Sequence, residues 1–195
     1  MKLVVGISGA TGAIYGIRLL EVLRNVPEME SHLVISDAAK RTIEHETSWT
    51  VPEVESLATE VYDNADIGAA TASGSFHVDG MVIAPCSIKT MSALANSYNT
   101  NLMVRSGDVN LKERRPLVLV VRETPLHYGH LKQMMDLALM GAILLPPVPA
   151  YYHKPKTLDD VINHTVGKIL DMFRVEHRLF MRWRGMPAPT GVQAG

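Results

Sequence analysis

The sequence has little of several features that would each indicate a class of protein. It has one cysteine, Cys86, which excludes an internal disulfide framework and favours the reducing cytoplasm. It has no run of about 18 apolar residues, so no membrane span is expected. Its formal net charge is -1 with both signs mixed along the chain, so no basic face for nucleic acid is predicted.

The chain does have enough apolar residues for a folded core. Its length of 195 residues suits one domain, and 47% of the residues are hydrophobic. The last residues are rich in proline, glycine and alanine. We therefore expect a single domain over residues 1–185 and a mobile tail over residues 186–195.

Short apolar runs alternate with helical patterns along the chain. Strands are predicted at residues 3–7, 32–36, 81–84, 117–122 and 142–145. Helices are predicted at residues 11–26, 37–45, 88–96, 127–140 and 158–173. The alternation indicates an α/β fold: a three-layer sandwich with a doubly wound parallel sheet, flavodoxin-like or Rossmann-like. Ligands bind such sheets beyond the carboxyl ends of the strands.

A glycine loop follows the first predicted strand. Gly6, Gly9 and Gly12 have the spacing Gly-x-x-Gly-x-x-Gly, which departs from the dinucleotide fingerprint Gly-x-Gly-x-x-Gly. Ser36, rather than an acidic residue, ends the second strand. The loop and the N-terminus of the helix after it therefore suit a mononucleotide such as FMN better than NAD. A tight turn that binds nothing is the alternative.

Polar residues also follow the later strands. Ser87 opens a helix after the third strand, and the neighbouring Cys86 is interpreted as a buried structural thiol rather than a nucleophile. Arg122 and Glu123 follow the fourth strand, where they could either serve a site or form a mutual salt bridge. His127 and His130 have no third ligand at a suitable spacing, so no metal site is predicted.

Six motifs in this order resemble those of the UbiX family of flavin prenyltransferases, over the chain from Lys2 to about Trp183. The family includes small B subunits associated with aromatic acid decarboxylases. The motifs are residues 6–13, 73–76, 85–90, 111–117, 122–126 and 146–152.

The resemblance implies a flavodoxin-like subunit in a homododecamer, with sites built between subunits. It implies that dimethylallyl phosphate, or in some members the diphosphate, alkylates N5 of reduced FMN. Ring closure at C6 follows without a metal ion. The product, prenylated FMN, serves a UbiD-type decarboxylase.

The resemblance also assigns roles to residues. FMN contacts are implied for Gly9, Ala10, Thr11, Ser36, Ser87, Ile88, Lys89, Thr90 and Arg122. Glu123 matches the acid/base residue. The positions that hold the prenyl phosphate are Lys112, Tyr152 and Lys168, with Arg105 contributed by a neighbouring subunit. Phe76 and Trp183 match aromatic positions near the site.

Two matched positions differ from the family's usual residue. Thr11 stands where serine is frequent, which keeps the hydroxyl. Lys168 stands where arginine is frequent, which keeps the charge but loses the bidentate fork. The choice between monophosphate and diphosphate donors therefore stays open.

Two other functions compete with prenyl transfer. An FMN-dependent peptidyl-cysteine decarboxylase would share the FMN loops, but the set of Lys112, Tyr152 and Lys168 argues against it. A non-catalytic FMN-carrier subunit would bind flavin without transferring a prenyl group. The decarboxylase or pathway that receives the product stays open.

Overall fold

Parallel strands form the central sheet in the computed structural model, which describes residues 1–186. The strands are β1 (Lys2–Ile7), β2 (Glu30–Ile35), β3 (Glu60–Asp63), β4 (Gly80–Cys86), β5 (Leu117–Val121) and β6 (Ile143–Leu144). The helices are α1 (Ile14–Leu23), α2 (Asp37–Glu46), α3 (Val51–Glu55), α4 (Ile88–Ala95), α5 (Leu102–Lys112), α6 (Tyr128–Leu139) and α7 (Leu158–Met172). A 3₁₀ turn spans Ala70–Ala72.

Alternate side chains of β1 pack into two different cores. Leu3 and Val5 belong to the core that α1, α2 and α7 cover, whereas Val4 belongs to the core that α4 and α5 cover. Successive side chains of a strand point to opposite faces of a sheet, so both faces are buried. The observed fold is the predicted three-layer α/β sandwich.

The strand order is β3-β2-β1-β4-β5-β6, with parallel neighbours throughout. Chain order reverses between β1 and β4, because β2 lies on one side of β1 and β4 on the other. This is the Rossmann-type doubly wound order, in which the crevice beyond β1 and β4 is the expected ligand site.

The observed elements differ from the predicted ones in several bounds. The predicted first helix, residues 11–26, is shortened to α1, because Gly12 has a φ of 95° and belongs to the loop. The predicted break at Pro85 is wrong: β4 continues to Cys86, and its pairing with β5 shifts register between Ile83 and Cys86. The strand predicted over 117–122 ends at Val121, which leaves Arg122 in a loop.

No helix within residues 1–186 is both long and apolar enough to cross a membrane. The predicted mobile tail, residues 186–195, lies outside the described residues except for Met186, which is exposed.

Candidate functional site

A buried serine joins the loops that leave β1 and β4. Ser8 Oγ donates to the carbonyl oxygen of Pro85 at 2.8 Å and accepts from the backbone N–H of Ser87 at 2.7 Å. The Ser8 backbone N–H also donates to the Pro85 carbonyl at 3.2 Å. These bonds fix the glycine loop beside the start of α4, at the point where the strand order reverses.

Three helices begin at one cavity beside this loop. Ser36 caps α2, Ser87 caps α4 and Asn101 caps α5, each by accepting a backbone N–H with its side chain. The cavity has a volume of about 220 Å³. Its lining includes Gly9, Ser36, Ser87, Lys89 and Thr90 of the predicted FMN set, together with Asn64, Asn101, Met103 and Val104.

The chemistry of this cavity fits the phosphate end of a mononucleotide. Unpaired N–H groups and the partial positive charge of a helix N-terminus favour an anion, and three such termini meet here. Lys89 adds a cationic side chain at the same place. At Gly9 an added Cβ would lie 2.4 Å from the Cβ of Ala38, so only glycine lets the loop approach α2 so closely.

The other predicted FMN residues lie around this cavity in different settings. Ala10 and Thr11 belong to the loop after β1, where Thr11 is exposed. Ile88 packs against the core covered by α4 and α5. Arg122 follows β5, and its backbone N–H donates to the carbonyl oxygen of Cys86 at 3.2 Å. Burial raises the pKa of Tyr15, and the positive charge of Arg122 nearby opposes that rise.

Glu123 is exposed after the carboxyl end of β5. Its Oε1 accepts a hydrogen bond from the backbone N–H of Thr124 at 2.9 Å. The mutual ion pair with Arg122, left open by the sequence, does not form among residues 1–186. Both side chains therefore remain available to a ligand at the same edge of the sheet as the glycine loop.

Tyr152, Lys168 and Trp183 come together on the outer side of α7. The chain turns back after α7, so Trp183 packs edge-on against Tyr152 with ring centroids 5.6 Å apart. Asp171 anchors this returning segment by accepting from both terminal nitrogens of Arg182 at 2.7 and 3.1 Å. Lys168 Nζ lies 3.8 Å from the same carboxylate.

A second cavity of about 620 Å³ opens beside this cluster. Its lining contains aromatic rings and guanidinium groups, from Tyr152, Phe180, Arg178, Arg182, Trp183 and Arg184. Aromatic faces suit an apolar or cationic carbon chain, and guanidinium groups suit a phosphate. The combination fits an allylic phosphate.

Lys112 lies far from the first cavity within its own chain. Helix α5 begins at the first cavity with Asn101 and ends at Lys112, about 16 Å further along the helix axis. There Lys112 pairs with Glu113, just before β5 starts. Arg105, one turn into α5, donates to the carbonyl oxygen of Ala72 at 3.2 Å and to Asp108 at 3.0 Å.

Phe76, like Lys112, lies at the edge of the sheet where the strands begin, which we call the amino edge. Its ring packs edge-on against His32, at the start of β2, with centroids 5.3 Å apart, and Lys2 of β1 lies over it. One chain therefore places the predicted phosphate-binding lysine and Phe76 at the opposite end of the sheet from the glycine loop.

Cys86 is buried, as the sequence predicts. Burial raises the pKa of the Cys86 thiol to about 12, which keeps it protonated and unreactive at neutral pH. The rings of His127 and His130 are in contact, tilted by 35° with centroids 3.6 Å apart. Among the residues that the structure describes, no group of three or more His, Cys, Asp or Glu side chains could hold a metal ion.

Sequence reasoning missed the contribution of α5 to the first cavity. Asn64 holds the start of this helix, since its carbonyl oxygen accepts from Leu102 N–H at 2.8 Å and its Oδ1 accepts from Met103 N–H at 3.1 Å. The available signal was Asn101, a strong N-cap residue directly before an apolar run.

Comparisons with known proteins agree with this geometry. Residues 1–170 match the Flavoprotein family. The chain is 60% identical over 185 residues to the flavin prenyltransferase UbiX of Thauera aromatica, covering 95% of each protein.

Two solved structures are also similar over nearly the whole chain. A dodecameric FMN-dependent UbiX-like decarboxylase from Escherichia coli O157:H7 superposes with a TM-score of 0.93 at 48% identity, covering 95% of this chain and 100% of that one. AnUbiX (PadA1), in complex with FMN and dimethylallyl pyrophosphate, superposes with a TM-score of 0.93 at 44% identity, covering 95% and 98%.

The Rossmann-type sheet and the anion-binding cavity at its switch point define a mononucleotide-binding α/β protein. The chain belongs to the flavoprotein family and, within it, to the UbiX-type flavin prenyltransferases.

Proposed function

We propose that this protein joins the dimethylallyl group of dimethylallyl phosphate to N5 and C6 of reduced FMN, giving prenylated FMN for a UbiD-type decarboxylase. The observation that carries the proposal is the convergence of three helix N-termini on the cavity beside Gly9, in a chain 60% identical to a flavin prenyltransferase. The domain over residues 1–185 would act in the cytoplasm, which the single buried thiol favours.

The phosphate of FMN fits the first cavity. Backbone N–H groups at the starts of α2, α4 and α5 receive its oxygens, and Lys89 neutralises part of its charge. Arg122 approaches the flavin from the end of β5. Reduced FMN supplies the two nucleophilic atoms of the reaction when it is bound.

The phosphate of the prenyl donor is held by Lys112, Tyr152 and Lys168, with Arg105 alongside. Breaking the allylic C–O bond leaves negative charge on that phosphate, so cations and a hydroxyl placed around it stabilise the transition state. Aromatic rings such as Trp183 shield the positive allylic carbon from water and stabilise it.

Lys112 comes from a second subunit, since within one chain it lies at the far end of α5 from the first cavity and the glycine loop. A homo-oligomer that brings the two edges of neighbouring sheets together completes the site. The dodecamer of the similar structure from Escherichia coli O157:H7 supports this arrangement.

Glu123 accepts the proton that ring closure releases. Its carboxylate is exposed at the same sheet edge as the glycine loop, within a loop that its own Oε1 stabilises through Thr124 N–H. A carboxylate positioned at the reacting atoms is a suitable general base.

The test is anaerobic incubation of the purified protein with reduced FMN and dimethylallyl phosphate, followed by mass analysis of the released flavin. The expected product is heavier than FMN by one five-carbon prenyl unit. Unmodified FMN with both monophosphate and diphosphate donors, from protein that demonstrably binds flavin, would overturn the proposal and favour an FMN carrier.

A further inference from the structure

His164 occupies the centre of the ring cluster around Tyr152. Its imidazole stacks on His153 with centroids 5.0 Å apart and planes 5° apart. Phe180 packs on it at 4.6 Å. The side chain is partly buried on α7, one turn before Lys168. The ring is therefore held between neighbours and cannot turn freely.

The held ring makes one specific polar contact. His164 Nε2 lies 3.1 Å from the hydroxyl oxygen of Tyr152. Burial lowers the pKa of His164 below its usual value, and electrostatic repulsion from His153 and Lys168 lowers it further, while Asp171 opposes them. The imidazole is therefore neutral at neutral pH, with one nitrogen donating and the other accepting.

The two possible tautomers would have different effects on Tyr152. If Nε2 accepted the phenolic hydrogen, Tyr152 would have no hydrogen to offer a phosphate. If Nε2–H donates, the phenolic hydrogen stays available, and a phosphate oxygen needs a donor.

We propose that His164 is a positioning residue for prenyl transfer, which donates from Nε2 to Tyr152 and so directs the tyrosine O–H toward the phosphate of the prenyl donor. The inference rests on the proposed role of Tyr152 and adds a residue to that site. His164 does not touch the donor; it acts through the tyrosine.

The hydrogen bond from His164 restricts rotation of the Tyr152 hydroxyl about its C–O bond. Tyr152 is exposed, and packing by Trp183 fixes the plane of its ring but not the direction of its hydroxyl hydrogen. A donor at 3.1 Å occupies the lone-pair side of the oxygen and leaves the hydrogen to point away. The site is then organised before the phosphate arrives, which strengthens binding.

The test compares His164→Phe with His164→Gln. Phenylalanine keeps the stack on His153 and Phe180 but removes the donor, whereas the glutamine amide can reach the position of Nε2. We expect His164→Phe to raise KM for dimethylallyl phosphate about five- to tenfold, with kcat changed less than about twofold and FMN affinity unchanged. His164→Gln is expected to keep the KM of the unmodified protein.

A double-variant cycle with Tyr152→Phe separates a positioning role of His164 from a packing role. Since His164 acts through the hydroxyl, His164→Phe should have no further effect on the equilibrium Kd for dimethylallyl phosphate once that hydroxyl is removed. If His164→Phe does not fold, His164→Asn replaces it, because the shorter amide reaches only the Nδ1 position.

Failure of this inference can be told apart from failure of the proposed function. Absence of prenylated flavin from the unmodified protein would refute the function, and the equilibrium Kd for dimethylallyl phosphate would then still test His164. An unchanged KM or Kd in His164→Phe, equal losses in the phenylalanine and glutamine variants, or additive effects with Tyr152→Phe would each overturn the positioning role.

Discussion

At the scale of single residues, Glu123 is distinguished by the absence of an ion pair with Arg122 and by its position at the carboxyl end of β5. The carboxylate follows β5 at the ligand edge and is held by a backbone N–H of its own loop rather than by Arg122. A group that removes a proton from the substrate needs this freedom from a strong ion pair, which would lower its basicity.

Glu123→Gln is expected to lower kcat at least about 100-fold while leaving FMN affinity near that of the unmodified protein, because the amide cannot accept the proton. Single-turnover mixing with reduced FMN gives the rate, and flavin fluorescence gives the affinity. Glu44→Gln, an exposed carboxylate on α2, is the matched control. Full turnover by Glu123→Gln would remove the assigned role.

Cys86, unlike Glu123, is unreactive although it lies at the same edge of the sheet and belongs to a reactive residue type. Its thiol is fully buried, and burial raises its pKa to about 12. Iodoacetamide should therefore leave the native protein unlabelled at pH 8 and label it stoichiometrically in denaturant. Cys86→Ala should keep its turnover. Rapid labelling of the native protein, read by mass, would contradict this prediction.

At the scale of elements, the approach of the glycine loop to α2 makes a sharp prediction. Gly9→Ala places a Cβ 2.4 Å from the Cβ of Ala38, so the loop or the helix must move. We expect FMN affinity to fall about tenfold or more. Flavin fluorescence titration measures the change.

The control for Gly9→Ala is the double variant with Ala38→Gly. Removing the Cβ of Ala38 leaves its backbone atoms at 3.3 and 3.4 Å from the new methyl group, which needs only a small adjustment. Affinity should then largely recover, despite the modest helix cost of a glycine. Equal losses in the single and double variants would show that the clash is not the cause.

The same elements explain how much the sequence could predict. The strands β1, β4 and β5 consist mainly of consecutive apolar residues, so the sequence predicts that they are buried. β3 was missed because three of its four residues are exposed at the edge of the sheet. α5 was missed because Ser106, Gly107 and Asn110 interrupt the apolar residues of its buried face.

Close packing and hydrogen bonds explain that unusual buried face. A Cβ on Gly107 would lie 2.6 Å from Leu94, so the glycine permits α5 to approach α4. Ser106 donates to the hydroxyl of Thr71 at 2.8 Å. Neither partner is visible from sequence spacing, so the place of Lys112 at the end of α5 and its distance from the glycine loop could not be derived from the chain alone.

At the scale of the whole molecule, the proposed function requires each chain to supply parts of two different sites. Lys112 lies at the amino edge of the sheet, while Tyr152 and Lys168 share the outer side of α7. An oligomer that completes one site with another chain's lysine makes catalysis dependent on assembly.

Mixed oligomers test that dependence. Lys112→Ala and Tyr152→Phe should each be nearly inactive, but co-expressed in equal amounts they should restore about one quarter of the sites, since each needs one intact group from each of two chains. A mixture of Tyr152→Phe with Lys168→Ala is the control, because those groups share a chain. No recovery in the first mixture, or equal recovery in both, would contradict a shared site.

The edge-on contact between Trp183 and Tyr152 also gives the protein an optical probe of its own. The chain has two tryptophans, and the other, Trp49, packs against the core covered by α1 and α2. Trp49→Phe would leave Trp183 as the single indole fluorophore, with its ring 5.6 Å from the tyrosine that is proposed to receive the prenyl phosphate. Emission from that one ring would then follow arrival and departure of the donor in real time, without a dye and without turnover.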